Sequence, residues 1–293
     1  MEPILKSHFN NFKKSFEIET GGIYEKEAMA FEKFVNYVIF SLDYPNIFTA
    51  DSELLDFVSV GGSNDTGIDG IGIRVNDSLV RDISEVKEIV QTSKKVRVDF
   101  VFIQSKMRPS LGVAEFNTFG TGVKTFFSSG YLPENEKISE FREIKDFIYS
   151  DEKMISKLVD NPSIYLFYVG TGAEPTDANF SGAKSWLINE LTSSNYYFAD
   201  VEVGILGGKQ LIKYCRELEN KFEAQINIID IFPLIVDKKA EVKKAYAFTC
   251  SAGEILKVLI KEDGLLRRSL FNDNVRDYLG NRGAIINPAI EII

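Results

Sequence analysis

The hydrophobic pattern in the first half of the chain changes period at several points, and each change predicts an element. Residues 24–42 carry apolar side chains at three- and four-residue steps, which predicts an amphipathic helix. Residues 67–75 follow a cluster of turn-forming residues and then alternate as a strand does. Residues 96–107 are β-branched and aromatic up to the polar Gln104 and Lys106, which predicts a buried strand with a polar end.

The remaining segments continue this alternation of helical and extended patterns. The charged residues 76–95 predict an insertion that carries one helix, and residues 113–128 have helical spacing. Further strands are predicted at 163–170, 197–206, 225–236 and 245–251, and further helices at 133–160, 182–192, 209–221 and 252–263. Strands that alternate with helices indicate an α/β protein. No repeat or low-complexity linker marks a domain boundary, and the weak signals place one near Asn161 or Ala240.

Composition excludes several classes of protein. The chain has 293 residues, 44% of them hydrophobic, and a formal net charge of -9, so it repels polyanions except at a local basic patch. His8 is the only histidine, which leaves almost nothing for Ser-His-Asp triads and excludes zinc sites built from several histidines. Cys215 and Cys250 show no CxxC spacing and fit buried thiols in a reducing compartment. No run approaches the ~18 apolar residues of a membrane span, so we expect a cytoplasmic protein with no membrane partner.

One group of polar residues has the composition of a metal-dependent hydrolytic site. Side chains two apart on a strand share a face, so Gln104 and Lys106 project together, and an antiparallel strand at 67–75 would place Asp69 beside them. Mg²⁺ or Mn²⁺ takes carboxylate and amide oxygens, so Asp69 and Gln104 would bind the metal, with Glu32 completing the acidic shell. Lys106 would orient the attacking water or counter charge on a phosphate. The residues alone leave a second interpretation open, in which Lys106 is a solvated strand end.

Two separated segments resemble known families. The sequences GGSNDTGIDGIGI and FVFIQSKM resemble the core of Mrr-like PD-(D/E)xK nucleases, in which Gln occupies the second acidic position of a QxK motif. More narrowly, residues 98–127 and 270–293 resemble the AIPR family, whose members are associated with abortive phage infection. The resemblance implies the catalytic residues Asp69, Gln104, Lys106 and Glu32, of which Asp69, Gln104 and Glu32 would hold the metal.

The resemblance also implies a domain organisation. Residues 1–160 would form the nuclease core, a restriction-endonuclease-like mixed sheet flanked by helices, with the insertion at 76–95 separating Asp69 from Gln104 more widely than in compact Mrr-like cores. Residues 161–240 would form a further α/β region, which either stands apart or continues the same sheet. Residues 241–293 would begin an AIPR-type region. Since AIPR proteins continue into another domain, we expect a C-terminal module or activator to be absent from this chain.

A basic window surrounds the predicted catalytic strand. Between residues 94 and 124 there are six basic and two acidic side chains, so this window carries +4 in a protein of charge -9. The residues predicted to contact nucleic acid are Lys94, Lys95, Arg97, Arg108 and Lys124. The alternative is that strand alternation sends these charges to different faces, where they are solvated.

The function expected from these observations is Mg²⁺- or Mn²⁺-dependent hydrolysis of DNA phosphodiester bonds in phage defence. A first alternative is a non-catalytic sensor or scaffold that keeps the nuclease fold and binds nucleic acid or a phage protein. A second alternative is a nuclease directed at RNA, because the sequence does not show which groove geometry is recognised. Double-strand cleavage by a nuclease with one site per chain needs two sites, so a homodimer or a target-induced dimer is consistent with the first hypothesis.

Overall fold

The computed structural model of the chain describes residues 1–42, 47–48, 52–128, 132–218, 226–234 and 245–260. The helices are α1 (Pro3–Ser15), α2 (Tyr24–Ser41), α3 (Ser52–Val58), α4 (Ile83–Thr92), α5 (Val113–Phe127), α6 (Glu136–Ser150), α7 (Glu152–Lys157), α8 (Ala178–Thr192), α9 (Gly208–Leu218) and α10 (Ala252–Leu259). The strands are β1 (Gly70–Val75), β2 (Ser78–Leu79), β3 (Val98–Lys106), β4 (Ser163–Gly170), β5 (Val201–Leu206), β6 (Ile228–Leu234) and β7 (Ala245–Cys250).

The first of two compact units contains a five-stranded mixed sheet. This unit comprises residues 1–41 and 47–215, and its strand order is β2-β1-β3-β4-β5. Strand β1 is antiparallel to β2 and β3, whereas β3, β4 and β5 are mutually parallel. Parallel neighbours need crossover connections, which the helices between these strands supply. The α/β class with a mixed sheet flanked by helices, predicted from the sequence, is confirmed.

Helices cover both faces of this sheet because β3 is apolar on both of its faces. Phe100 and Phe102 of β3 pack against Phe127 and Phe126 of α5, with ring centroids 5.1 Å apart in each pair. Their neighbour Val101 faces the opposite way and is paired with Gly72, against which Phe40 of α2 packs. Helices α2 and α5 therefore lie on opposite faces of the central strands.

The N-terminal helix α1 was not predicted from the sequence. Its buried residues Leu5, Phe9 and Phe12 follow a spacing of four and three, which is the pattern of one helical face. Phe9 and Phe12 pack against α2, with ring centroids 5.8 Å from Phe31 and 5.4 Å from Phe34. Aromatic contact with α2 supplies the burial that a helix of this length needs.

The second unit contains the described residues after Cys215. In it β6 and β7 pair as an antiparallel ribbon, and Ser251 caps the start of α10, since its hydroxyl accepts a hydrogen bond from the Glu254 N–H. In the part of the chain that the structure describes, no helix is long and apolar enough to cross a membrane.

The sheet crosses one predicted domain boundary. Strand β3 lies in the predicted core, 1–160, and its parallel neighbours β4 and β5 lie in the predicted additional region, 161–240. The alternative in which residues after 160 continue the same sheet is therefore the one observed, and the division between compact units falls after Cys215 instead. Of the region 241–293, only residues 245–260 are described, so the AIPR-like segment 270–293 lies outside the described residues.

Candidate active site

Asp69 stands immediately before β1 and is joined to β3 through both its backbone and its carboxylate. Its backbone N–H donates to the carbonyl of Ile103 at 2.8 Å, which extends the antiparallel ladder by one residue. Its carboxylate Oδ2 accepts a hydrogen bond of 2.6 Å from the backbone N–H of Ser105. These two contacts flank Gln104, so the antiparallel pairing expected from the sequence does place Asp69 beside that residue.

Gln104 is buried on the face of the sheet that α5 covers. Its side chain is 3% exposed overall, and its Nε2 lies 3.3 Å from the position that a Cβ on Gly67 would take. Thr118 and Phe119 of α5 contact the same point. Among the described residues, the Oε1 atom of Gln104 is buried without a hydrogen-bond partner. A buried amide oxygen without a donor is rare and is consistent with a bound ion or water.

Glu32 reaches the site from α2. A Cβ on Gly61 would lie 2.6 Å from Glu32 Oε2 and 3.6 Å from the Cα of Asp69, so this one glycine is in contact with both acidic residues. The absence of a side chain at Gly61 leaves the space that the Glu32 carboxylate takes. The helix-borne acid predicted from the sequence is thereby brought to Asp69.

Lys106 ends β3 on the same side of the strand as Gln104. It is half-buried, opposite Gly170 of β4, and its positive charge lowers the pKa of both Asp69 and Glu32. Within the described chain the Lys106 ammonium makes no hydrogen bond or ion pair. Its donors are therefore available to a ligand at this edge of the sheet.

Burial raises the pKa of both acidic side chains above their ordinary values. Burial and the neighbouring Asp69 charge raise the pKa of Glu32 to about 8. Burial also raises the pKa of Asp69 to about 6, against the lowering effects of Lys106 and of the Ser105 N–H. The Asp65 carboxylate raises both values further. Perturbed carboxyl groups of this kind, with a cation beside them, are typical of sites that bind metals or transfer protons.

The donor atoms fit a hard cation, although they do not include three acidic ligands. In the described ranges, no three His, Cys, Asp or Glu side chains form a cluster suited to a metal ion. The candidate set is instead two carboxylates and one amide: Asp69, Glu32 and the unpartnered Oε1 of Gln104. Oxygen donors of both kinds suit Mg²⁺, which commonly keeps several waters and needs one or two protein carboxylates.

The five basic residues predicted to bind nucleic acid do not form one patch. Lys94, Lys95 and Arg97 precede β3, whereas Lys106 and Arg108 lie at its other end. Nine residues of strand span about 26 Å at ~3.3 Å per residue, so the two groups are separated by the length of the sheet. The single patch inferred from the sequence window is corrected to two separate groups, because β3 runs between them.

Two of these basic residues are already engaged by acidic side chains. The guanidinium of Arg108 pairs with Glu115 of α5, and its Nε donates to the Ser110 carbonyl at 3.0 Å. The ammonium of Lys124 pairs with Glu190 at 2.5 Å and lies 5.1 Å from the centre of the Trp186 ring. Lys124 is therefore held between α5 and α8.

Sequence reasoning missed the polar residues that hold the acidic loop in place. Asn36 of α2 is fully buried, and its Nδ2 donates to the backbone carbonyl of Asp69 at 3.1 Å. Asn135, which caps α6, donates from Nδ2 to the Val60 carbonyl at 2.8 Å and from its backbone N–H to the Asn64 carbonyl at 3.1 Å. No local pattern signals either residue, because the burial of Asn36 depends on the approach of β1 at Gly70 and the contacts of Asn135 are distant in sequence.

No protein-family model, curated protein or solved structure matches this chain. The site is therefore interpreted from its own geometry and chemistry.

Proposed function

We propose that this protein is a metal-dependent endonuclease that hydrolyses phosphodiester bonds of DNA. The observation that carries the proposal is the convergence of Asp69, Glu32, Gln104 and Lys106 at one end of β3. There, two carboxyl groups with raised pKa values lie near the Lys106 charge, and the backbone contacts of Asp69 flank Gln104, whose buried Oε1 has no hydrogen-bond partner among the described residues. The mixed sheet with β3 at its centre agrees with the restriction-endonuclease-like architecture implied by the resemblance to Mrr-like nucleases.

In this proposal, each residue of the site has a separate task. Asp69, Glu32 and the Oε1 of Gln104 hold Mg²⁺ or Mn²⁺, which when bound supplies positive charge to the phosphate and lowers the pKa of water. The Ser105 N–H fixes the Asp69 carboxylate at 2.6 Å, so that little reorganisation is needed when the cation arrives. Lys106 directs its ammonium to the substrate, where it stabilises charge on the phosphate oxygens and orients the attacking water.

The resemblance to the AIPR family adds a proposed setting. It favours a cytoplasmic role in defence against phage, with double-stranded DNA as substrate and a homodimer, or a dimer formed on the target, providing the second active site. A C-terminal module or a separate activator would then control cleavage. RNA remains the alternative substrate, and the cleavage assay below includes it.

The test is cleavage of supercoiled plasmid and of single-stranded RNA with Mg²⁺ or Mn²⁺, with EDTA as the metal-free control. We expect Asp69→Ala and Lys106→Ala each to abolish cleavage, with thermal stability near that of the wild-type protein. Lys153→Ala is the matched control, since Lys153 is exposed on α7, which leads to the opposite end of β3, and this variant should leave cleavage unchanged. Metal-dependent cleavage retained by Asp69→Ala or Lys106→Ala would contradict the site assignment.

A non-catalytic scaffold is the second candidate, and one observation favours it. The second ligand is an uncharged glutamine, and the described residues supply no third acidic, histidine or cysteine ligand. A scaffold would bind DNA in the presence of EDTA, would keep that binding in Asp69→Ala, and would cleave neither substrate with any metal. The plasmid and RNA assays therefore distinguish the two candidates when direct binding is measured alongside them.

A further inference from the structure

Asn36 is a buried amide whose contacts join three parts of the candidate site. Its Nδ2 donates to the backbone carbonyl of Asp69 at 3.1 Å and to the hydroxyl of Ser59 at 3.0 Å. Ser59 in turn donates to the carbonyl of Leu55 in α3 at 2.8 Å. Through one side chain, α2 is therefore connected to the residue preceding β1 and to the end of α3.

The orientation of this amide is determined by its partners. Both contacts are acceptors for Nδ2, so a flipped amide would direct Oδ1 at the Asp69 carbonyl and lose both hydrogen bonds. In the orientation observed, Oδ1 is buried and has no hydrogen-bond partner among the described residues. The orientation that lets Nδ2 bond to Asp69 therefore leaves Oδ1 without a hydrogen-bond partner among the described residues. Such a group calls for an explanation beyond stability alone.

The adjacent glycine shows how closely the amide approaches the strand. A Cβ on Gly70 would overlap the Asn36 side chain, with Nδ2 3.0 Å away and the remaining amide atoms closer. Gly70 is also the residue after Asp69, so the same short segment carries the acid and accommodates the amide. Glu32 precedes Asn36 by one turn of α2. The position at which Asn36 packs on β1 therefore also determines where the Glu32 carboxylate lies.

We infer that Asn36 is a positioning residue that sets the Asp69 and Glu32 carboxylates at the spacing the metal site requires. This inference rests on the proposed function for its purpose, but the placement of Asp69 by Asn36 is measurable without any metal. Asn36 touches neither substrate nor cation in this arrangement. It acts through its hydrogen bond to the Asp69 backbone and through the packing of α2 on β1.

The experiment compares Asn36→Ala and Gly70→Ala, which break the same contact from opposite sides, with Ser41→Ala. Ser41 is the matched control because it is also a fully buried polar residue of α2, and its hydroxyl has no hydrogen-bond partner among the described residues. Amide hydrogen exchange in the metal-free full chain measures the protection of the Ser105 N–H, which donates a hydrogen bond to the Asp69 carboxylate. The Phe102 N–H, in the middle of β3, serves as the internal reference for global stability.

We expect Ser105 N–H to exchange about tenfold faster relative to Phe102 in both test variants and to be unchanged in Ser41→Ala. Calorimetric titration with Mn²⁺ should show affinity about tenfold weaker in the test variants, as for other residues that orient metal ligands. Unchanged Ser105 exchange in both variants overturns the inference, whether or not Mn²⁺ binds. Faster exchange in a protein whose wild-type form binds no Mn²⁺ supports the placement of Asp69 by Asn36 and overturns the proposed metal site instead.

Discussion

Glu32 illustrates at the scale of one residue how the candidate site differs from its surroundings. Its carboxyl group is buried beside Asp69 and Asp65, with Lys106 as the compensating charge. These surroundings raise its pKa to about 8, so the folded protein holds a proton there that the unfolded chain releases near pH 4.5. Burial of a carboxyl group with so high a pKa does not serve the stability of the folded protein at neutral pH.

A stability measurement across pH tests this view of Glu32. In EDTA, the folded state binds more protons than the unfolded state between about pH 4.5 and pH 8, so stability should fall as pH rises through that range. Glu32→Gln removes the ionisable group and should flatten this part of the profile, leaving the variant more stable than wild type at pH 9. Thermal melts at half-unit pH intervals provide the measurement, with about 2–4 °C expected for each kcal/mol in a domain of this size.

Saturating Mn²⁺ should reverse this dependence, because a bound cation favours the ionised carboxylate. The Tm would then rise from pH 6 to pH 8 where the metal-free protein loses stability. Parallel profiles for wild type and Glu32→Gln in EDTA would show that Glu32 is solvated, and would remove it from the candidate site.

At the residue scale, the sequence supplied the acidic and basic members of the site but not their supports. The sequence could predict Asp69, Gln104 and Lys106, because strand alternation and a glycine-rich turn determine where such side chains point. Asn36 was not singled out, since a polar residue on an amphipathic helix is usually solvent-exposed. Its burial depends on the approach of β1 at Gly70, and no local pattern reports such a contact.

At the scale of elements, α2 and the segment before β1 pack together around the candidate site. Helix α2 carries Glu32 and Asn36 on successive turns, and the segment opposite supplies Gly61 and Gly70 as the surfaces that these two side chains touch. The same segment is held from its other side by Asn135 at the start of α6. The site is therefore built where a helix packs on a loop that is itself fixed at both edges.

Gly61→Ala tests the contact between helix and loop. The added Cβ would lie 2.6 Å from Glu32 Oε2, at the flexible end of a side chain, so the carboxylate should move away while the backbone stays in place. We expect Mn²⁺ affinity to fall about tenfold, with a small change in Tm. Gly182→Ala on α8 is the control, because a Cβ there meets no atom within 4 Å and should leave metal affinity unchanged. Equal affinity in the two variants would argue against Glu32 as a ligand.

Most elements were predictable because their periodicity is strong and local. Strand β3 and helices α2 and α5 lie within two residues of their predicted limits. The helix α3 and the two-residue strand β2 were missed, since both are too short for periodicity to be measured. The sequence left open whether residues after 160 continue the same sheet, for a different reason. Sheet membership depends on pairing between distant strands, and the sequence of β4 resembles that of any buried strand.

At the scale of the whole molecule, charge is the main constraint on the proposed substrate. A chain of net charge -9 gains nucleic-acid affinity only where basic residues are concentrated, and these residues lie in two groups about 26 Å apart along β3. That distance equals about eight base pairs of duplex at 3.4 Å each. A duplex that spans the distance between the two ends of β3 would meet both groups, whereas one that crosses the site end would meet Lys106 and Arg108 alone.

The salt dependence of DNA binding separates these two arrangements. Asp69→Ala protein would be titrated onto a labelled 20-base-pair duplex in EDTA at several salt concentrations, alone and combined with Arg108→Ala or Lys95→Ala. Because the sheet end carries the candidate chemistry, we expect Arg108→Ala to reduce the slope of log affinity against log salt by about 0.9, the value for one phosphate contact. Lys95→Ala should leave the slope unchanged. An equal reduction in both variants would mean that DNA contacts both ends of β3, and no reduction in Arg108→Ala would mean that Glu115 keeps this arginine from the phosphates.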